Sequence, residues 1–547
     1  MKGKRILLVF AAGLFSAATV LGQTGKKALK AKSDDFNYGQ WIEINNGILR
    51  ELRSNYVDSL PLGRIERAGI DAMLGNLDPY TVYIPEEEND DLEMMINKTY
   101  GGIGAVIWKP GKDSALVINE PYEASPAAKA GIVSGDEVLS IDGVSTKGLI
   151  ASECSDRMKG KPGTDVVLRI RHIRTGVVDD VKITRERIHL PDVEYYGMLN
   201  DTTGYILQTG FTDNVSQDVR NAFQSLKKQG MKKLIFDLRG NGGGLVSESV
   251  KIVSLFVPKG TLVVTQKGRS ESSASALRTE TEPLDTKIPI VVLVDGGTAS
   301  ASEILSGCLQ DMDRATIMGT RTYGKGLVQT IRPLPYNGQI KVTIAKYYTP
   351  SGRCVQAIDY AHRNEDGSVS QIPDSLTHEF KTAHGRTVRD GGGITPDVEL
   401  EPHQYSRLTY SLVVNGIIEQ YALRYVIKHA SIPSVDYFHF TDYEDFVNFA
   451  KDKDFDYRSS AMALFDSMKK ELQKDGLAEG AKDELDALSK AIDLDKVAFL
   501  RAQEKEIIPF IEEEIVVRYY YQMAGVKVRL RYDDELHEAL TKPLIKI

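Results

Sequence analysis

A chain of 547 residues is too long for one hydrophobic core and suggests roughly three or four domains. With 42% hydrophobic and 26% charged residues it has the composition of a soluble globular protein. A net charge of −8, with no basic stripe, argues against a nucleic-acid binder.

In chain order, Lys2, Lys4 and Arg5 precede the apolar run from Ile6 to Leu21, and Gly22 follows before Gln23. A positive start, a short apolar run and small residues at a cut describe a secretory signal peptide over residues 1–22. The mature chain is therefore expected to be exported, to the periplasm or beyond the cell. No cysteine follows the cut, which disfavours a lipid anchor, and no later stretch is long and apolar enough to cross a bilayer. Cys154, Cys308 and Cys354 make no disulfide framework, and no Cys/His spacing fits zinc. Cys308, inside a helical stretch, is expected to be buried.

Residues 36–98 read as mainly helical. Trp41, Ile44, Ile48, Leu49, Leu52 and Tyr56 recur at helical spacing, Ile65 to Leu77 gives a second amphipathic stretch, and Asp78-Pro79-Tyr80 ends it. This stripe is expected to serve a core or a self-association contact.

From Tyr100 the texture changes to short strands and glycine turns. Gly101-Gly102-Ile103-Gly104 runs into a strand, followed by Ser125-Pro-Ala-Ala-Lys-Ala-Gly131 and Gly135-Asp-Glu-Val-Leu-Ser-Ile-Asp-Gly143. In that order these phrases resemble a PDZ domain over residues 99–187. A glycine-rich loop can offer backbone N–H groups to a chain's terminal carboxylate, and the adjacent strand edge can pair with an extended peptide. Gly101, Gly102, Ile103 and Gly104 are thus the expected peptide-binding residues.

Residues 188–402 read as α/β. A strand from Gly204 to Phe211 and a helix from Val215 to Gln229 precede the buried strand Lys233 to Leu238, which ends in Arg239-Gly-Asn-Gly-Gly-Gly244 before another helix. Such a turn exposes backbone N–H groups at a strand's C-terminal end. It lacks the G-x-G-x-x-G spacing, so a dinucleotide loop is rejected. Residues 266–287 read as a polar loop, whose Ser272 to Ala276 echoes the later serine segment without its strand or helix. Residues 359–393 form a second polar excursion. From 403 to 547 the pattern is helical, with packing or oligomerisation as its expected role, and Glu512-Glu513-Glu514 reads as a solvated face.

The chemistry concentrates between 291 and 329. Val291 to Val294, the turn Asp295-Gly-Gly-Thr-Ala, Ser300 and the apolar periodicity that follows read as strand, turn and helix. Ser300 therefore stands at a helix mouth, where unpaired N–H groups and the positive dipole end can receive an oxyanion. Ser300-x-x-Glu303 equally fits a capping box, a purely structural role. Ser302 is a rival nucleophile that would point about 200° around the helix. Downstream, Lys325 stands between Gly324 and Gly326, where the backbone can turn tightly and approach closely. In an apolar pocket a lysine falls below its ordinary pKa of about 10.4, and its neutral amine can take a serine proton. If this stretch is strand, Gln329 faces the same side as Lys325 and can orient the amine. His172, His189 and His384 accompany no matching Asp/Ser phrase, which disfavours a Ser-His-Asp triad.

The ordered set Asp237-Leu-Arg-Gly-Asn-Gly-Gly-Gly244, Gly297-Thr-Ala-Ser-Ala-Ser-Glu303, Tyr323-Gly-Lys-Gly326 with Val328-Gln329, and Gly393-Ile-x-Pro-Asp-Val398 resembles the carboxyl-terminal processing peptidases, or tail-specific proteases, over about residues 38–400. The resemblance implies a crotonase/ClpP-like α/β protease core with an inserted PDZ domain. It also implies Ser300 as nucleophile, Lys325 as general base and Gln329 as its orienting partner. The oxyanion hole would be the N–H of Ala301 and one from the Gly242-Gly243 turn. The family's usual proline after the asparagine is Gly242 here, which leaves the glycine donor open. The fold expected is multidomain α/β with helical N- and C-terminal regions. Substrates would be proteins or peptides with accessible C-terminal tails, and no metal, nucleotide or organic cofactor is expected. Two rivals are a noncatalytic tail-binding scaffold and, by fold analogy alone, an acyl-CoA enzyme.

Overall fold

The computed structural model describes residues 34–364, 366–492 and 495–545. The expected signal peptide, 1–22, lies outside the described residues. Among the described residues no helix is long and apolar enough to cross a membrane.

The chain divides into two compact units, the first ending at Tyr83 and the second beginning at Ile84. The first holds helices α1 (Asp34–Asn55) and α2 (Leu62–Gly75). The stripe expected on α1 does not form a core within this unit: Trp41, Ile44 and Ile48 are exposed.

The second unit opens with α3 (Asn89–Asn97) and strand β1 (Thr99–Gly102). A six-stranded antiparallel sheet follows: five strands lie in the spatial order β2 (Ala105–Trp108), β3 (Leu116–Pro121), β4 (Glu137–Ile141), β5 (Asp165–Arg171), β6 (Val178–Thr184), and the two-residue strand Val144–Ser145 pairs with β4 off this path. Helix α4 (Ala151–Met158) packs against it, and β1 pairs separately with β7 (Glu186–His189). Along β5 burial alternates strictly, with Val166, Leu168 and Ile170 inside and Asp165, Val167, Arg169 and Arg171 outside, the period-2 signature of a half-buried strand. These elements lie within residues 99–187, the stretch whose glycine phrases resemble a PDZ domain.

The main sheet has six strands in the order β8 (Val193–Met198), β9 (Thr203–Gln208), β10 (Lys233–Asp237), β13 (Ile290–Val294), β14 (Thr316–Gly319), β17 (Val398–Glu399). All neighbours are parallel except β8 with β9. Its strands are apolar runs because both faces are covered. Ile206, Leu234, Phe236, Val292 and Val294 face α5 (Val215–Lys228), α6 (Val246–Val253) and α7 (Ala301–Asp311). Tyr205, Ile235, Val291, Leu293 and Met318 face Val526, Leu536 and Ala539 of the C-terminal helical region. That region therefore closes the second face of the sheet. A separate sheet holds β11 (Leu262–Gly268), β12 (Ser275–Arg278), β15 (Leu327–Pro333) and β16 (Gln339–Tyr348).

Two expectations are corrected. The polar stretch 266–287 is not a loop throughout: it opens on the end of β11 and contains β12, and the two pair as a hairpin with Thr265 opposite Ala276 and Gln266 opposite Ser275. The buried residues of this hairpin, Val263 and Val264, precede the stretch, and the largely exposed β12 pairs through its backbone without apolar alternation, so 266–287 itself gave no strand signal. Glu512 to Glu514 is not a solvated face: Glu512 is fully buried, paired with Arg531 at 2.7 Å and accepting the Tyr532 hydroxyl at 2.6 Å. Helix α8 (Glu504–Arg531) breaks at Tyr521, with φ +64°, and returns the basic residues to the acidic run. Arg529 thus meets Glu513 at 3.2 Å.

The same helix meets the PDZ module. Arg518 donates to Asn119 Oδ1 at 2.6 Å and pairs with Glu514, beside the buried Glu120 of β3. Burial pushes the Glu120 carboxyl up to about 7; a hydrogen bond with Gln522 and the Arg518 charge oppose this, and Glu514 adds to it. Its ordinary value is 4.5, so between pH 4.5 and about 7 the folded state holds the extra proton and this group's contribution falls as pH rises. Glu120→Gln mimics the protonated form. Its melting temperature should exceed the parent's most at about pH 8 and converge with it near pH 5. A difference that does not change with pH would refute the burial argument.

Candidate active site

The adjacent parallel strands β10, β13 and β14 end on one edge of the main sheet, so the turns that leave them meet there. The first turn is the glycine segment 239–244, the second carries Ser300, and the third, 320–326, carries Lys325. Asp295 ties the first two together. Its Oδ1 accepts the Gly240 N–H at 2.8 Å, the Gly297 N–H at 2.9 Å and the Thr298 N–H at 3.0 Å. The Asn241 carbonyl accepts the Ala299 N–H at 3.0 Å and the Ser302 hydroxyl at 2.9 Å.

Ser300 is the residue before α7, at φ +57° and ψ −115°. Such a conformation is strained for a non-glycine residue, by about 1–3 kcal/mol, and is the geometry of a sharp strand-to-helix elbow that presents a hydroxyl. Its side chain makes no cap hydrogen bond to the helix, although Glu303 accepts the Ser300 N–H at 2.8 Å. Ser302, by contrast, is fully buried with its hydroxyl committed to Asn241. Gly243 packs under the elbow at φ +94°, where an added Cβ would lie 2.7 Å from the Ala299 oxygen and 2.8 Å from the Ala301 nitrogen. Only glycine lets the two turns approach that closely.

Glu303 organises the site further. Its carboxylate is completely buried, and four donors converge on it. One oxygen accepts the Thr322 hydroxyl at 2.6 Å and the Gly324 N–H at 2.7 Å. The other accepts the N–H groups of Ser300, at 2.8 Å, and Lys325, at 2.9 Å. Sharing one acceptor oxygen keeps those two backbone nitrogens within about 6 Å of each other. Burial raises this carboxyl, and the four donors pull it back down. The sequence showed Glu303 only as a capping residue; its reach to Lys325, 22 positions on, had no local signal.

Lys325 lies in the loop before β15 rather than in the strand, so its relation to Gln329 is not the simple alternation expected. The glycines beside it press on residues 355–357: a Cβ on Gly324 would lie 2.4 Å from the Ala357 Cβ, and one on Gly326 2.8 Å from the Gln356 nitrogen. Gln329, on β15, donates its amide to Thr343 Oγ1 at 3.1 Å. Tyr347, buried on β16, donates its hydroxyl to the Ser300 carbonyl at 3.2 Å.

A cleft of about 690 Å³ brings together Ser300, Lys325, Gln329, Gly242 and Gly243. Ala301 is buried at the first position of α7. The Gly243 N–H is already given to Asn241 Oδ1 at 2.9 Å, whereas Gly242 is exposed to the cleft. None of His172, His189 and His384 lines it. Among the described residues no cluster of His, Cys, Asp and Glu could hold a metal ion. Sequence reasoning also missed how the glycine turn is held from outside: Arg239 binds Asp237, and then Asp533 and Glu535 from the far end of the chain.

A second cavity, of about 200 Å³, lies on the PDZ module between the edge strand β2 and α4, lined by Ala105, Ile107, Ser155 and Met158. Gly102 and Ile103 border it. Gly101 and Gly104 do not; their carbonyls accept the N–H groups of Gly160, at 3.1 Å, and Tyr122, at 2.9 Å.

Residues 202–361 match peptidase family S41, residues 117–172 match the PDZ domain, and residues 408–542 match the C-terminal helical domain described for probable PDZ-proteases. A carboxy-terminal-processing protease of Bartonella bacilliformis is 33% identical over 358 residues, 65% of this chain and 81% of that protein. The carboxy-terminal processing protease CtpA of Bacillus subtilis is 29% identical over 420 residues, covering 76% of this chain and 87% of that protein. Among solved structures, a photosystem II D1 C-terminal processing protease aligns at 26% identity and a TM-score of 0.37, over 68% of this chain and 89% of that one. The chain belongs to the C-terminal processing peptidases of family S41, serine-type peptidases that carry a PDZ domain.

Proposed function

We propose that this chain is an exported endopeptidase that cleaves proteins near their C-terminal tails with a Ser300–Lys325 dyad. Lys325 Nζ takes the Ser300 hydroxyl proton as Oγ attacks the scissile carbonyl carbon. The negative charge that develops on the carbonyl oxygen is received by the N–H groups of Ala301 and Gly242, at the mouth of α7. Gly242 is preferred to Gly243 because the Gly243 N–H is committed to Asn241. The tetrahedral intermediate collapses, the C–N bond breaks, and Lys325 returns its proton to the departing amine. The acyl-enzyme is then opened by a water that Lys325 deprotonates. Gln329, its amide nitrogen given to Thr343, has its carbonyl oxygen left to orient the amine.

The substrate's tail is held in the PDZ groove, adding as a strand to the open edge of β2 beside α4, with Gly102 and Ile103 at the carboxylate end. Export, to the periplasm, rests on the signal-like residues 1–22. Self-association through the helical N-terminal region, where Trp41 is 54% exposed, belongs to the same proposal.

The observation that carries the reading is the shared carboxylate: Glu303 holds the backbone of the strained Ser300 and of Lys325 on one oxygen, beside one cleft. An electrophile that acylates activated serines should modify Ser300 alone, as mapped by peptide mass spectrometry, and should lose that adduct in Lys325→Ala. Labelling at Ser302, or labelling indifferent to Lys325, would reject the dyad.

A further inference from the structure

Besides Lys98 and Lys325, the active-site cleft is lined by a third lysine, Lys341, which lacks the counter-charge that its burial calls for. Lys341, on β16, lines the cleft half-buried, and its ammonium rests 3.9 Å from the Met95 sulfur. Among the described residues no carboxylate lies within ion-pair distance of it. Lys98, in the same cleft, is the contrast: it is paired with Asp192 at 2.9 Å and donates to Thr209 at 3.0 Å. Burial without a counter-charge pushes the Lys341 amine below its ordinary range, with no opposing charge to offset it. An ammonium on a half-dry wall is poorly solvated by the protein, and an anion arriving there with a bound peptide completes it.

Register places Lys341 along the cleft. It stands opposite Ile331, one step of two residues beyond the Gln329–Thr343 pair. Tyr347, whose hydroxyl reaches the Ser300 carbonyl, lies six residues back on the same strand, and the register skips Ile344 in between. Five strand steps of about 3.4 Å put Lys341 about 17 Å from the Tyr347 level, the span of about five residues of extended peptide.

We infer that Lys341 is a specificity residue that takes a peptide carboxylate, from an acidic side chain or from the chain terminus, about five residues from the scissile bond. The inference rests on the cleft being the peptide-binding site, and it concerns which peptides are held there rather than how they are cut.

The test uses the full chain and a set of unstructured peptides sharing one cleavage site. Glu, Gln or Lys is placed at each position from the third to the seventh on either side of the cut, and each peptide carries a free or amidated C-terminus. In the parent, one position should favour Glu over Gln by about tenfold in kcat/KM, or the free terminus over the amide by a similar factor. Lys341→Met should remove that preference, Lys341→Arg should keep it, and Lys341→Glu should turn it toward Lys. The arm that responds identifies the source of the carboxylate. Dissociation constants measured on the Ser300→Ala background should show the same ratios, so the result does not depend on turnover. A Glu/Gln ratio equal in the parent and Lys341→Met, or no position with a preference, overturns the inference. Turnover persisting in Ser300→Ala would overturn the dyad instead.

Discussion

Ser300→Ala and Lys325→Ala are each expected to lower kcat/KM on an unstructured peptide by about ten-thousandfold or more, while folding is retained. Residues that act as one nucleophilic unit lose most of their joint effect when either is removed, and losses of about 10⁴–10⁶ are the measured scale. Neither side chain holds the core: the Ser300 hydroxyl makes no cap bond, and Glu303 grips the backbones of both residues rather than their side chains. Both variants should therefore melt close to the parent. Lys325→Arg separates charge from basicity. A guanidinium keeps the positive charge but does not give up its proton at working pH, so it cannot accept one from Ser300. Initial rates on a quenched peptide, read beside thermal melts, decide the matter. A Lys325→Arg variant with parental turnover would show that charge alone suffices and would end the general-base assignment.

Glu303→Gln is expected to cost about 2–4 kcal/mol of stability and to lower kcat about a hundredfold, with a smaller change in KM. Each Glu303 oxygen accepts two donors, so the amide group of glutamine must point its own N–H bonds at two of them whichever way it turns. Either the Thr322–Gly324 pair or the Ser300–Lys325 pair loses its acceptor inside a fully buried pocket. The Thr322 hydroxyl also accepts the Ile394 N–H at 2.7 Å, so its displacement spreads to the segment before β17. Denaturant unfolding gives the stability, and a split between kcat and KM tells misplaced chemistry from weakened binding. Full kcat in Glu303→Gln would mean that the elbow and the lysine loop are held by something other than this carboxylate.

Much of the catalytic sheet was legible because its strands are short apolar runs closed by glycine turns. Ser300 was legible as a helix-mouth serine because small residues and the 3.6-residue periodicity of Ile304, Leu305 and Cys308 follow it directly. The PDZ module announced itself through the order of its glycine phrases, whereas the strict in–out alternation of β5 emerged from the structure. What escaped was the meaning of charge. Glu303 looked like a cap and is also a clamp on a loop 22 residues away; Glu512 looked solvated and is buried against Arg531. The acidic partners of Arg239 lie 294 and 296 positions downstream, where nothing local singles them out.

Residue order alone settled the strands, turns and helices of the main sheet and which side chains carry reactive groups, because backbone propensity and hydrophobic period act over a few neighbours; the paired strand within 266–287 escaped it. Packing alone decided that three parallel strands end on one edge and that one carboxylate grips two loops. Packing also laid the C-terminal helices over the far face of the sheet. These depend on desolvation and on donors meeting acceptors across long stretches of chain, and a buried charge finds its partners by proximity in space, to which sequence distance is no guide.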